Sequence, residues 1–149
     1  MEQVLDDLIP TMTSDTKPSG TVVYSSQVTT GSGHYGYQAF DKITDAQHQW
    51  ATLNSGKIGD YIGYIFDSPK TLYKIKVITT TVTSVYFKFK LQYTDDKTNW
   101  IDTNITGKTS SNMSVSVSGV GKHLGYRLYQ TNSLSDTSNI FELYFYGRN

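Results

Sequence analysis

The chain of 149 residues reads as an all-β protein folded into an antiparallel sandwich, and three features predict it. Twelve tyrosines and six phenylalanines, with abundant threonine, serine and valine and few alanines or glutamates, favour extended backbone over helix. Apolar and polar residues alternate with a period of two in several runs, as they do in strands with one face buried. Gly, Pro, Asn and Asp gather between those runs, where the chain must turn. The length suits one domain with a single core.

The start of the chain differs in kind. Val4, Leu5, Leu8 and Ile9 make a short apolar stripe at helical spacing, stopped by Pro10, and a helix so short is marginal alone. Two readings stay open for residues 1–12: a strand-like lead-in packed on the sandwich, or a docking or oligomerisation segment. The sandwich proper takes residues 13–149. Strands are expected over residues 21–26, 61–66, 72–77, 87–93, 113–117, 124–128 and 140–146. In the third of these, Tyr73, Ile75 and Val77 share one face and Lys74 and Lys76 the other; Phe87, Phe89, Leu91 and Tyr93 alternate likewise with Lys88, Lys90 and Gln92. Met113, Val115 and Val117 between serines, and Leu124, Tyr126 and Leu128 around Arg127, repeat the pattern. Turns fall over residues 30–36, 54–60, 67–70, 95–99, 106–112 and 132–139, so loops suited to function lie at the ends of the sandwich.

Charge and cysteine narrow the functional classes. Lys plus Arg and Asp plus Glu number 13 each, so no long-range field draws in nucleic acid or an anionic membrane. Cysteine is absent, which removes disulfides, thiolate zinc sites and thiol nucleophiles. The acidic start lacks the basic opening and long apolar centre of a secretory signal, and no stretch has the length of a membrane span. The three histidines are scattered and no serine sits in a Gly-x-Ser-x-Gly turn. A glycosidase needs two facing carboxylates, and the pair that could supply them, Glu142 with Asp41 or Asp45, is assigned by the resemblance given below to an ion or hydrogen-bond site. The expectation is a protein without catalytic activity.

One residue stands out. Glu142 lies in the run Ile140-Phe141-Glu142-Leu143-Tyr144-Phe145-Tyr146-Gly147, and the only other glutamate is Glu2. An ionised carboxylate in an apolar run is costly unless a cation or hydrogen-bond donors meet it, and a hard cation is the first candidate.

A series of local signatures, in order, carries a family resemblance. They are Thr21-Val22-Val23-Tyr24-Ser25-Ser26, then Tyr37-Gln38-Ala39-Phe40-Asp41 with Trp50, then Gly59-Asp60-Tyr61-Ile62-Gly63-Tyr64-Ile65-Phe66. Leu91-Gln92-Tyr93-Thr94-Asp95-Asp96 with Asn99-Trp100, Tyr126-Arg127-Leu128-Tyr129 and Glu142-Leu143-Tyr144-Phe145-Tyr146-Gly147 complete the set. From about residue 9 to residue 147 the chain resembles a discoidin, or coagulation factor 5/8 type C, domain of the galactose-binding-like superfamily, which includes many carbohydrate-binding modules. The lead-in Ile9-Pro10-Thr11-Met12-Thr13-Ser14 further resembles the version in bacteriophage tail-fibre, baseplate and other virion proteins.

The resemblance implies a jelly-roll β-sandwich of about eight antiparallel strands, with a structural calcium (Ca2+) near the loop after Ala39-Phe40-Asp41. Carried onto this sequence, Asp41 and Glu142 give side-chain oxygens, with Thr44 and Asp45 beside them and Ala39 or Phe40 as backbone donors. Many oxygen ligands are what calcium demands. Lys42 departs from the pattern, since the family commonly has glycine there. The alternative is that Asp41 caps the loop and Glu142 accepts hydrogen bonds from Lys42 or backbone amides, with no metal. The resemblance also implies that Trp50 and Trp100 pack in the interior.

Sugar recognition needs a flat ring to stack on C–H groups and planar polar side chains to meet hydroxyls. Two loops qualify: His34-Tyr35-Gly36-Tyr37 in a glycine-rich turn, and Gln47-His48-Gln49-Trp50 with Asn54 behind. They fall where the family's ligand loops lie, and Tyr35 and His48 are the leading contacts, with His34, Asn54 and Tyr86 as further candidates. Residues 79–86 lack the arginine and asparagine that complete a galactose site in the family. The expected function is a carbohydrate-binding module on a phage virion, in a tail fibre, baseplate or surface appendage. Its partners are a bacterial surface polysaccharide, other virion proteins and copies of itself. The opposing expectation is a structural virion part, a capsid decoration or adaptor, that uses the sandwich for protein contacts.

Overall fold

The computed structural model describes residues 4–31 and 33–149; Met1 to Gln3 of the lead-in, and Ser32 of the glycine-rich turn, lie outside the described residues. The strands are β1 (Asp6–Asp7), β2 (Thr21–Tyr24), β3 (Trp50–Ser55), β4 (Tyr61–Ile78), β5 (Lys88–Thr94), β6 (Ile101–Lys108), β7 (Asn112–Ser116), β8 (Lys122–Gln130), β9 (Thr137–Ile140) and β10 (Glu142–Arg148). Every strand pair is antiparallel. Short 3-10 turns at Gly36–Phe40 and Thr83–Val85 are the only helical elements among the described residues.

Residues 61–66 and 72–77, expected as separate strands, belong to one β4 of 18 residues. Its first part pairs with β2 and β8, its last part with β10 and β7, and the register with β8 breaks between Ile65 and Lys70. The segment Asp67-Ser68-Pro69, expected as a turn, is where the strand leaves one layer of the sandwich for the other. One layer is therefore β2, the start of β4, β8, β5 and β6, and the other is β1, β10, the end of β4 and β7. A two-stranded sheet of β3 and β9 stands apart from both.

The alternation read from sequence sets most of the faces; Tyr73, expected beside Ile75 and Val77, is instead exposed and Leu72 is buried, because the register with β10 shifts between Tyr146 and Gly147. Ile62, Tyr64, Ile75, Val77, Phe89, Leu91, Tyr126, Leu128, Leu143 and Phe145 all fill the core. Tyr64 and Tyr126 are buried to their tips, and each hydroxyl donates to a backbone carbonyl, of Ser19 at 2.5 Å and of Lys70 at 2.6 Å, so the ring is removed from water without an unpaired O–H. Phe145 meets Phe40 and Tyr126 edge-on.

The lead-in is extended, not helical. Asp6 pairs with Gly147 and Asp7 with Tyr146, the Leu8 N–H donates to the Phe145 carbonyl at 2.9 Å, and Ile9 and Met12 are buried in the core. The free edge of β10 offers backbone partners that an isolated two-turn helix cannot match. Trp100 also departs from expectation. Trp50 is buried at 1% exposure, whereas Trp100 is half-buried and lies on the outer side of its layer against Arg127. No described helix is long and apolar enough to cross a membrane.

Candidate functional site

The glycine-rich turn and the loop before β3 are tied together by their own side chains. The backbone bridge between Val28 and His34 closes the turn, and the His34 carbonyl accepts from Ala51 N–H at 3.4 Å. Gln38 links the two loops: its Oε1 accepts from Tyr35 N–H at 2.8 Å, and its Nε2 donates to the Gln47 carbonyl at 3.5 Å. Gln27 accepts from Gly36 N–H at 2.8 Å. Gln38 belongs to the Tyr37-Gln38-Ala39-Phe40-Asp41 signature, but its linking role, like that of Gln27, has no sequence pattern and shows only in the folded chain.

Tyr35 is half-buried and stacked on Tyr37, with centroids 6.0 Å apart and planes 10° from parallel. Its ring lies across Gly33, where a Cβ would strike it and where φ is +69°, so both space and backbone require glycine. His48 stands on the neighbouring loop with Nδ1 2.7 Å from Asp45 Oδ1, and that oxygen also accepts from the backbone N–H groups of Gln47 and His48. The hydrogen bond to Asp45 raises the His48 pKa above its ordinary value, and the same bond lowers that of Asp45. His34 Nδ1 is buried and has no hydrogen-bond partner among the described residues.

The other sugar-contact candidates sit on different segments. Asn54 is exposed near the far end of β3 from Trp50, roughly 13 Å along the strand at ordinary rise. Tyr86 is half-buried, and its hydroxyl donates to the Thr80 carbonyl at 2.9 Å, inside its own loop. Ser84 joins that loop to Asp136 at 3.2 Å. The structure thus sets Tyr35, His34 and His48 on loops joined through Gln38, with Asn54 toward the far end of β3 and the Tyr86 hydroxyl bound within its own loop. Two surface clefts, of about 170 and 230 Å³, are lined by Leu8, Pro10, Tyr64 and Lys70 and by Tyr93, Asp102 and Val120 respectively; neither touches the cluster.

Glu142 opens β10 on the same side as Tyr144 and Tyr146, opposite the core-facing Leu143 and Phe145. Those tyrosines are half-buried, yet Glu142 is 0% exposed, because the chain after Asp41 passes over it. Lys42 N–H donates to Glu142 Oε1 at 3.0 Å, and Oε2 has no hydrogen-bond partner among the described residues. Desolvation, reinforced by the neighbouring Asp41 charge, pushes the Glu142 pKa up to about 10. Asp41, buried beside it, is also raised by desolvation, and the two carboxyl groups are within hydrogen-bonding reach once one carries a proton.

Lys42 adopts φ +64°, the left-handed conformation for which the family resemblance expects glycine. Its ammonium does not sit against the carboxyl pair but reaches Asp7 at 2.9 Å and the Tyr144 ring at 5.0 Å. Asp41 Oδ1 accepts from Ile43 N–H at 3.0 Å. Thr44 is exposed, and Asp45 spends its Oδ1 on its own turn. Among the described residues no group of three or more His, Cys, Asp or Glu side chains is arranged to hold a metal ion. What the pair does offer is a buried, unpartnered oxygen beside a second carboxyl group, and a cation can take the place of the shared proton there. The residues fit such an ion on condition that backbone carbonyls supply the remaining oxygens.

The fold is shared with sugar-binding modules of known structure. No protein-family model matches the chain, and no curated protein sequence matches it. Among solved structures, a chitosan-binding module from a chitosanase/glucanase of Paenibacillus sp. IK-5 superposes with TM-score 0.68 at 20% identity, over 86% of this chain and 95% of that one. A pectin-binding carbohydrate-binding module gives 0.67 at 21%, over 84% and 88%. The family 32 carbohydrate-binding module of AlyQ, in complex with 4,5-unsaturated mannuronic acid, gives 0.66 at 16%, over 97% and 98%. The chain is thus an all-β sandwich with the jelly-roll architecture of carbohydrate-binding modules, as the resemblance implied.

Proposed function

We propose that this chain is a non-catalytic carbohydrate-binding module, carried on a bacteriophage tail fibre, baseplate or other surface appendage, that contacts a host cell-surface polysaccharide. The observation that carries the reading is the Tyr35–Tyr37 ring pair, on a loop that Gln38 ties to the loop of His48. A ring pre-oriented in this way stacks on a sugar with little ordering cost, and His48 supplies a polar edge for hydroxyls. The similar structures named as pectin- and chitosan-binding or solved with an unsaturated uronate support a glycan ligand.

The phage setting is supported by the resemblance of the lead-in, and it places other virion proteins and copies of the chain beside this one. Repeated weak sites then act together, since each bound site raises the effective concentration at the next. A calcium ion held by Asp41 and Glu142 would brace the loop that presents His48; the exposed Thr44 and Asp45 would need the turn around them to reopen before joining it.

The test is binding of the labelled protein, as a multivalent fusion, to an array of bacterial surface polysaccharides with and without calcium. Selective, sugar-competable signal is expected, and Tyr35→Ala should lower it about tenfold while the domain stays folded. Silence from the folded fusion would replace this reading with the structural one, a decoration or adaptor that binds protein.

A further inference from the structure

On the outer side of the layer containing β8, Arg127 is held between aromatic rings. Its Cζ is 4.4 Å from the Tyr61 centroid, 4.4 Å from that of Trp100 and 5.4 Å from that of Tyr129. The strand register explains the assembly: Tyr61 pairs with Tyr129, which pairs with Lys90, and Gly63 pairs with Arg127, which pairs with Gln92 and through it with Asp102. Arg127 Nε donates to Gln92 Oε1 at 2.8 Å. No carboxylate among the described residues pairs with Arg127, so its terminal N–H groups keep their hydrogen-bonding capacity.

The surroundings are cationic in a chain of zero net charge. Lys88, Lys90 and Gln92 point outward along β5, and Lys88 lies directly opposite Lys108 of β6. Lys90 caps the Tyr129 ring at 5.2 Å and meets Asp102 at 3.2 Å. Asp102 is the only carboxylate paired with this stripe among the described residues, so Arg127, Lys88, Lys90 and Lys108 leave it positive.

We propose that this outer face is a second binding site, separate from the loops of Tyr35 and His48, that takes the carboxylates of an acidic polysaccharide. The fixed guanidinium presents a planar fork that matches a carboxylate with two parallel hydrogen bonds, and its side-chain entropy is already lost to the rings. Tyr61, Tyr129 and Trp100 give ring edges and faces for sugar C–H groups around it. Lys88 and Lys108 follow the polymer as point charges. The face is an open sheet, not a pocket, as a chain ligand that enters and leaves sideways requires. The site rests on its own geometry and does not need the loop site to be correct.

The probe is polygalacturonate, compared by calorimetry and affinity electrophoresis with its fully methyl-esterified form, which has the same backbone without the charge. Binding of polygalacturonate alone, weakened by salt, is expected. Arg127→Lys keeps the charge but not the fork and should weaken binding about tenfold, and the exposed pair Lys88→Gln with Lys108→Gln about threefold. Tyr35→Ala should leave it unchanged. Equal binding of the methyl ester, no binding of either polymer, or full binding by both the Arg127 and the lysine variants would overturn the proposal. Loss of polygalacturonate binding in Tyr35→Ala would overturn it too and assign the acid to the loop site. The lysine variants, far from the core, keep the result readable even if Arg127→Lys fails to fold.

Discussion

Glu142 and Arg127 are both ionisable residues on the outward sides of their strands, one fully buried and one half-buried, and the protein deals with them in opposite ways. Backbone covers Glu142. One amide reaches it, one oxygen has no partner among the described residues, and a carboxyl group in that position favours its proton. Aromatic faces cover Arg127, and although desolvation lowers its pKa from the ordinary value, π-systems stabilise the cation that a peptide loop would not. Both the depth of burial and what surrounds the group decide whether its charge survives.

The largest test of that contrast is Glu142→Ala. It removes the acceptor of the Lys42 amide and opens a cavity beneath the loop, at an expected cost of about 2–4 kcal/mol in denaturant unfolding. Glu142→Gln keeps the acceptor and resembles the protonated acid, so without calcium at neutral pH it should cost less than about 1 kcal/mol. A loss from the glutamine variant as large as from the alanine variant would mean that Glu142 is ionised, and the contrast would break.

The pH dependence comes next. The folded-state pKa of Glu142, about 10, lies above its ordinary value of 4.5, so its contribution is fully present below the ordinary value and is lost as pH rises toward 10. Between pH 6 and pH 9 the wild type should lose at least about 3 °C in melting temperature relative to Glu142→Gln. Millimolar calcium should restore the loss if the pair takes a cation in place of its proton. Identical pH profiles for the two proteins would put the carboxyl in contact with donors not described above.

The smallest effect belongs to Arg127. Removing its stem and the stacking in Arg127→Ala should cost about 1–2 kcal/mol, and Trp100→Ala about 1 kcal/mol. Both are well short of the roughly 3–5 kcal/mol expected for truncating Trp50 in the core, and equal losses at the two tryptophans would erase the distinction between inner and outer faces.

The same two residues mark what the sequence made legible. The two-residue alternation around Arg127 placed Tyr126 and Leu128 inward, and the isolation of Glu142 in an apolar run flagged it at once. Two kinds of feature escaped. β6 is an edge strand in which Ile105 packs against the core among Asp102, Thr103, Asn104 and Thr106, and a left-handed Asn104 interrupts the alternation, so its apolar period is too sparse to detect. The partners of Arg127 come from strands far apart in sequence, and only the register of β4, β8, β5 and β6 unites them. At the candidate site, ring and imidazole types nominated Tyr35 and His48, but the Gln38 link that joins their loops, and the positions of Asn54 and Tyr86, depend on the course of the chain in space.

The pairing of Asp6 with Gly147 has a mechanical meaning. The two ends of the described chain come to the same point on one edge of the sandwich, and β10 runs from there back to Glu142. Tension applied through sequence joined at both ends would peel β1 from β10 one hydrogen bond at a time and spare the layers behind them. The body of the sandwich would hang as a side branch off the line of force, with the loops beyond Glu142 at rest while the junction bears the load.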